Sequence, residues 1–76
     1  MQVFRINTSA YEMGEEDFYI MTTLSESQIR SVIEPMVHNE RVNDEFYEND
    51  EYVLELKKKF PREEVIHYSE FETLTF

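Results

Sequence analysis

The segment "LSESQI", residues 24–29, constrains the fold more tightly than any other part of the chain. The Ser25 hydroxyl can accept a hydrogen bond from the Gln28 backbone amide, while the Gln28 side chain reaches back to the Ser25 amide. Leu24 and Ile29 stand at the two positions of a hydrophobic staple, which fixes how the chain enters a helix. The sequence therefore predicts a helix that begins directly after Ser25.

Downstream of this capping box, apolar residues recur at the spacing of one helical face. They are Ile29, Val32, Ile33, Met36 and Val37. Pro35 interrupts the pattern, because it lacks a backbone N–H and its ring clashes with the carbonyl of Ser31. Since the apolar stripe continues past Pro35, we expect one kinked helix rather than two separate helices.

Two strands are predicted before this helix. In "QVFRIN", Val3 and Arg5 alternate with Phe4 and Ile6, which is the period of a half-buried strand. "DFYIMTTL" is rich in aromatic and β-branched residues and predicts a second strand. The polar connection between them, residues 9–17, would make the pair an antiparallel hairpin with an acidic tip.

The second helix has a clear end and two candidate starts. Three lysines followed by Pro61 in "LKKKFP" are typical of a helix C-terminus. If Asn43 caps the helix, it runs through "NDEFYENDEY", and Asp44, Glu48, Glu51 and Glu55 form a rigid acidic stripe. If Asn49 caps it, residues 44–48 are a loop, and the acids that follow complement the helix dipole.

The segments "EEVIHY" and "FETLTF" that follow Pro61 predict one or two further strands. The chain is therefore expected to be a single small domain, residues 1–76, of the α+β class. Its predicted order is β-β-α-α-β, with a final β-strand as the alternative. A three- to four-stranded, mainly antiparallel sheet would carry both helices on one face.

The net charge of −10 excludes several functions. Direct nucleic-acid binding needs a basic footprint, and an anionic membrane would repel this chain. No stretch approaches the apolar length of a membrane span, and no signal peptide is evident, so a cytoplasmic location is expected. The chain has no cysteine, which excludes disulfides and thiolate chemistry.

Catalytic and metal-binding motifs are absent from the sequence. There is no nucleophile elbow, and the single glycine excludes a glycine-rich phosphate loop. Glu34 and His38 stand four residues apart on the first helix, but two ligands do not make a metal site. We therefore expect neither an enzyme nor a cofactor, and we expect no catalytic or metal-ligating residues.

The strongest candidate for function is an acidic surface that carries tyrosines. Acids steer a basic partner, and tyrosine is enriched at binding hot spots. The alternative interpretation is that Phe46 and Tyr52 belong to the core and the acids form a solvated rim. The candidate binding residues are Asp44, Glu45, Tyr47, Glu48, Glu51, Tyr52, Glu55, Glu15, Glu16 and Asp17.

In size, acidity and lack of cysteine, the chain resembles phage-encoded anti-restriction and anti-CRISPR inhibitors. The resemblance implies a DNA mimic, a small acidic protein that binds the basic surface of a nuclease or another nucleic-acid-binding complex. No motif carries the roles of individual residues across. The second hypothesis is a structural or regulatory interaction domain, such as a homodimer, an antitoxin-like partner or an accessory subunit, in which "FETLTF" pairs between subunits.

Overall fold

The computed structural model describes residues 1–8 and 17–67 of the chain. Within them the order of elements is β-β-α-α-β, which confirms the predicted α+β layout. The elements are β1 (Gln2–Ile6), β2 (Phe18–Thr22), α1 (Glu26–Asn43), α2 (Asn49–Lys59) and β3 (Val65–His67). The predicted strand "FETLTF" lies outside the described residues.

The three described strands form an antiparallel sheet in the order β1-β2-β3. Phe4 pairs with Ile20, and Ile20 pairs with His67, so the row that they form crosses the whole sheet. Ile6 and Ile20 are buried, whereas Val3 and Arg5 are exposed. The alternation predicted for β1 is therefore confirmed, with one sheet face turned toward the helices.

The predicted capping box is present at the start of α1. The Gln28 backbone N–H donates to Ser25 Oγ at 3.2 Å, and the Ser25 N–H donates to Gln28 Oε1 at 2.9 Å. Leu24 and Ile29, the staple pair, are both buried in the core. α1 continues through Pro35 as a single helix, as the continuation of the apolar stripe past Pro35 predicts, and the kink there stays a prediction.

The core lies between the inner face of the sheet and the two helices. Each element contributes buried side chains to this core. They include Phe18 and Ile20 from β2, Ile29 and Ile33 from α1, and Tyr52, Val53 and Leu56 from α2. α1 packs against α2, and α2 packs against β3. Because β3 is at one edge of the sheet, α1 lies toward the opposite edge, which is β1.

The start of α2 follows the alternative with a loop at residues 44–48, but the helix begins one residue earlier than that alternative predicts. Neither candidate asparagine caps the helix, since Asn43 is the last residue of α1 and Asn49 is already helical. Glu48 is the N-cap, and it makes no side-chain capping hydrogen bond. Residues 44–48 are therefore a loop, and a continuous helical stripe through Asp44 and Glu48 does not form. The end of α2 at Lys59 follows the prediction.

Candidate functional site

The connection between the two helices, residues 44–48, presents three acids in five residues and is called the acidic loop here. Asp44 caps the C-terminus of α1 in the left-handed conformation, with φ 51° and ψ 38°. Aspartate tolerates this conformation better than most residues, because its short polar side chain can bond locally. The left-handed residue ends α1 abruptly and turns the chain toward α2.

The acidic loop is anchored to a buried carboxyl group. Glu40, on α1, is only 3% exposed. Its Oε1 accepts a hydrogen bond from the Tyr52 hydroxyl at 2.6 Å and another from the Tyr47 backbone N–H at 2.9 Å. Since a buried carboxyl group needs hydrogen-bond donors to offset desolvation, these two contacts hold the loop and α2 against α1.

A second set of hydrogen bonds orients the Tyr47 side chain above this anchor. The Tyr47 hydroxyl donates to Glu45 Oε2 at 2.7 Å and accepts from Asn39 Nδ2, also at 2.7 Å. Asn43 donates in turn to Asn39 Oδ1. The Tyr47 ring meets the Tyr52 ring edge to face, with centroids 5.8 Å apart. The loop is thus tied to α1 through both backbone and side-chain contacts.

Both tyrosines of this cluster are held in the protonated form. Burial raises the pKa of the Tyr52 phenol well above its usual value, and the hydrogen bond to Glu40 acts in the same direction. For Tyr47 the hydrogen bond to Glu45 is the chief cause of a raised pKa, and the bond from Asn39 opposes it. Each phenol therefore keeps its proton at neutral pH and donates a hydrogen bond to a glutamate side chain.

Beside the acidic loop, a groove of about 490 Å³ runs between the helices. This interhelix groove is lined by apolar and charged side chains together, namely Met36, Tyr47, Glu51, Leu54, Glu55 and Lys58. Leu54 is 49% exposed, and Phe46, in the loop itself, is 54% exposed. Carboxylates and exposed apolar side chains therefore occur together on this part of the molecule.

The structure brings only some of the predicted binding residues together. Tyr47, Glu51 and Glu55 line the interhelix groove, and Glu45 is bonded to Tyr47. Asp44 and Glu48 are exposed at the two ends of the acidic loop.

The other four predicted residues are placed elsewhere, or lie outside the described residues. Tyr52 is 0% exposed and stacks on Phe18, so it is a core residue and offers no contact surface. Asp17 accepts a hydrogen bond from Arg5 Nε at 2.6 Å across the hairpin. Glu15 and Glu16 lie outside the described residues.

Sequence reasoning missed Glu40 and Phe46. Glu40 stands in register with the apolar stripe of α1, three residues after Val37 and seven after Ile33, so helical periodicity was the signal that could have placed it in the core. Phe46 was assigned to the core under the alternative interpretation, yet it is exposed in the loop. The signal for its exposure was its position in a segment rich in acids, because a segment with many charged side chains tends to stay at the surface.

Among residues 1–8 and 17–67, no group of three or more His, Cys, Asp or Glu side chains could hold a metal ion. None of the helices in the same residues has the length and apolar character to cross a membrane. No protein-family model, curated protein or solved structure matches the chain.

Proposed function

We propose that this protein is a non-enzymatic binding module that docks its acidic surface on a basic surface of another protein. The acidic surface is formed by the acidic loop and two glutamates of α2, the second of which is bonded to Lys58, and it consists of Asp44, Glu45, Glu48, Glu51 and Glu55. The partner that this chemistry fits best is a nuclease or another nucleic-acid-binding complex, whose basic groove accepts regularly placed anions. The protein would then act as an inhibitor that mimics DNA.

The anchoring of the acidic loop on Glu40 carries this proposal. A loop that only solubilises the protein needs no fixed conformation, whereas this loop is bonded to α1 through the Tyr47 backbone and the Tyr47 hydroxyl. Fixing a binding loop in advance lowers the entropy lost on association.

The exposed side chains of Phe46 and Leu54 offer apolar area for binding, which the carboxylates do not provide. A buried aromatic or aliphatic anchor supplies most of the energy in many interfaces, while surrounding charges set orientation and association rate. Both side chains stand beside the carboxylates of the acidic surface. Their exposure supports recognition of a protein rather than simple repulsion of nucleic acids.

The proposal is tested by binding to purified nucleic-acid-binding proteins, with duplex DNA as a competitor. We expect complexes that DNA displaces and that weaken steeply between about 0.05 and 0.5 M salt, where screening shortens from roughly 14 to 4 Å. Glu48→Lys should weaken the complex, whereas Glu64→Lys makes the same charge change at an exposed site just before β3. Equal loss in both variants would show that only the net charge matters.

Tyr47→Phe separates loop order from charge. This variant keeps the charge of −10 but removes the hydroxyl that bonds Glu45 and Asn39. Weaker binding at unchanged charge supports a preorganised surface. A salt-insensitive homodimer that binds none of these proteins would contradict the proposal and favour the structural or regulatory interaction domain.

A further inference from the structure

A second groove, of about 530 Å³, follows strand β1 on the other side of α1. Four consecutive residues of the chain line it, Phe4 to Asn7. Consecutive residues of a strand point to opposite faces of the sheet, so a groove that touches all four follows the strand's edge. β1 is an edge strand of the described sheet, and this groove, called the edge groove here, lies where the next strand would be.

α1 forms the opposite wall of the edge groove. Its apolar lining residues Ile29, Ile33 and Val37 are spaced four apart, and the lining extends from Glu26 to Arg41. That part of a helix is roughly 22 Å long at 1.5 Å per residue. An extended segment of about six residues has the same length. The edge groove is therefore long enough to hold one additional strand of about six residues between β1 and α1.

The side chains that line the edge groove are less acidic than the rest of the molecule, since three arginines and two glutamates line it in a protein of net charge −10. Arg5 is paired with Asp17. Arg30 is held between both glutamates, with donor–acceptor distances of 3.1 Å to Glu26 and 2.9 Å to Glu34. Arg41 has no carboxylate within ion-pair distance among the described residues, and His38 lies one turn before it.

We propose that an extended acidic segment of a partner protein adds to β1 as a further strand and occupies the edge groove. Its backbone would pair with the edge of β1, its apolar side chains would pack on the half-buried Phe4 and Val37, and a terminal carboxylate would meet Arg41. Addition of a strand to an exposed sheet edge is a common mode of peptide recognition. This surface is separate from the acidic surface and does not depend on its function.

An acidic peptide fits better than a second copy of the chain. Pairing two β1 edges would bring together two proteins of net charge −10. An acidic strand instead complements Arg41, the lining arginine without a carboxylate partner among the described residues.

Synthetic peptides test the proposal with the intact protein. The probe is an acetylated peptide of six alternating valines and threonines, flanked at both ends by aspartates, and a matched peptide carries lysines there. We expect the aspartate peptide to bind and to slow amide hydrogen exchange in β1, and the lysine peptide to bind more weakly. Equal or tighter binding of the lysine peptide would overturn the proposal, since the net charge alone favours it.

Backbone methylation shows whether a strand is added. Two further aspartate peptides carry N-methyl groups along one edge or along the other, with unchanged side chains. Binding should survive in one and disappear in the other, because only one edge can pair with β1. Equal binding of both would refute strand addition. So would full protection of the outer β1 amides without peptide, or a concentration-dependent dimer paired through β1.

A charge-reversal pair locates the peptide. Arg41→Glu should weaken binding of the aspartate peptide by about three- to tenfold, the range expected for reversing one surface ion pair, and improve binding of the lysine peptide. Arg62→Glu makes the same change at an exposed residue after α2 that does not line the edge groove. If both variants change peptide binding equally, the peptide does not bind in the edge groove.

Discussion

The Tyr52 hydroxyl donates a hydrogen bond of 2.6 Å to Glu40, and both residues are buried. This contact joins α2 to α1 at the point where the acidic loop is anchored. It therefore couples the stability of the helix pair to the conformation of the loop. The same carboxyl group accepts the Tyr47 backbone N–H, so loosening it would affect the loop directly.

Tyr52→Phe removes one donor to Glu40 and leaves the carboxyl group buried. We expect the free energy of unfolding to fall by about 1–3 kcal/mol, the usual cost of a lost hydrogen bond to a buried charged or polar group. Urea denaturation followed by circular dichroism measures the change. Tyr19→Phe is the matched control, because Tyr19 is substantially exposed, and it should change little. An unaltered stability in Tyr52→Phe would mean that Glu40 does not depend on this donor.

Stability should fall in alkaline solution because of Tyr52. Its pKa is raised in the folded protein by burial and by Glu40, whereas in the unfolded chain it ionises near its usual value of about 10. Above that pH the unfolded chain binds fewer protons than the folded protein, so stability decreases as pH rises. One such group contributes a slope of about 1.4 kcal/mol per pH unit.

Urea titrations between about pH 8 and 11 measure this slope. Tyr52→Phe should flatten it, while the lysines contribute alike to both proteins. Phenolate absorbance should also show one tyrosine that ionises only on unfolding. If stability falls with pH equally steeply in wild type and Tyr52→Phe, the raised pKa of Tyr52 is not the cause of the alkaline loss of stability.

The capping box makes a third, local prediction. Ser25→Ala removes the acceptor for the Gln28 N–H and should destabilise the protein by about 1 kcal/mol. Ser25→Asp keeps an acceptor at this position and should retain most of the stability. Ser27→Ala is the matched control in the same turn, since among the described residues the Ser27 hydroxyl is bonded only to the Ser25 hydroxyl, at the long distance of 3.4 Å. A Ser27→Ala loss as large as that of Ser25→Ala would contradict the assignment.

Two leucines of α2 allow the core and the candidate surface to be tested separately. Leu56 is 0% exposed, so Leu56→Ala should cost about 2–5 kcal/mol through lost burial and the cavity left behind. Leu54 is 49% exposed, and Leu54→Ala should change stability by no more than about 0.5 kcal/mol. Thermal and urea unfolding of both variants provide the comparison. If Leu54→Ala spares stability but weakens partner binding, the acidic surface includes Leu54.

Most of the fold could be predicted because its signals are local. The contacts of Ser25 with Gln28 span three residues, and the alternation of Phe4 and Ile6 spans two. Lys59 ends α2 just before Pro61, where a proline stops a helix. Such features act within one turn or one strand, so the sequence contains the information directly.

The choice between the two candidate starts of α2 could not be made from the sequence, because its determinants are tertiary. Asn43 and Asn49 were the candidates by residue type, but the loop between the helices is fixed by Tyr47 bonding to Glu40, seven residues earlier. The same carboxyl group accepts a second hydrogen bond, from the Tyr52 hydroxyl twelve residues later, so Tyr52 lies in the core, as the alternative interpretation expected. No local pattern indicates that Tyr47 and Tyr52 are the donors to Glu40.

The edge groove was also beyond sequence analysis. The apolar stripe of α1 is evident, but which edge of the sheet it faces depends on where α2 packs. Arg30 and Arg41 were scattered bases in the sequence, and the helix aligns them along one wall. Their arrangement follows from assembly of the domain rather than from spacing alone.

At position 44, the residue that is best for stability differs from the residue that is best for the proposed binding. The positive φ of Asp44 suits glycine, so Asp44→Gly should raise the melting temperature slightly by relieving the backbone. The same change removes a carboxylate from the acidic surface. A library selected only for heat resistance should therefore enrich glycine at residue 44, and one selected for retention of a basic partner should keep aspartate. The two enrichment profiles would reveal which pressure has shaped this helix end.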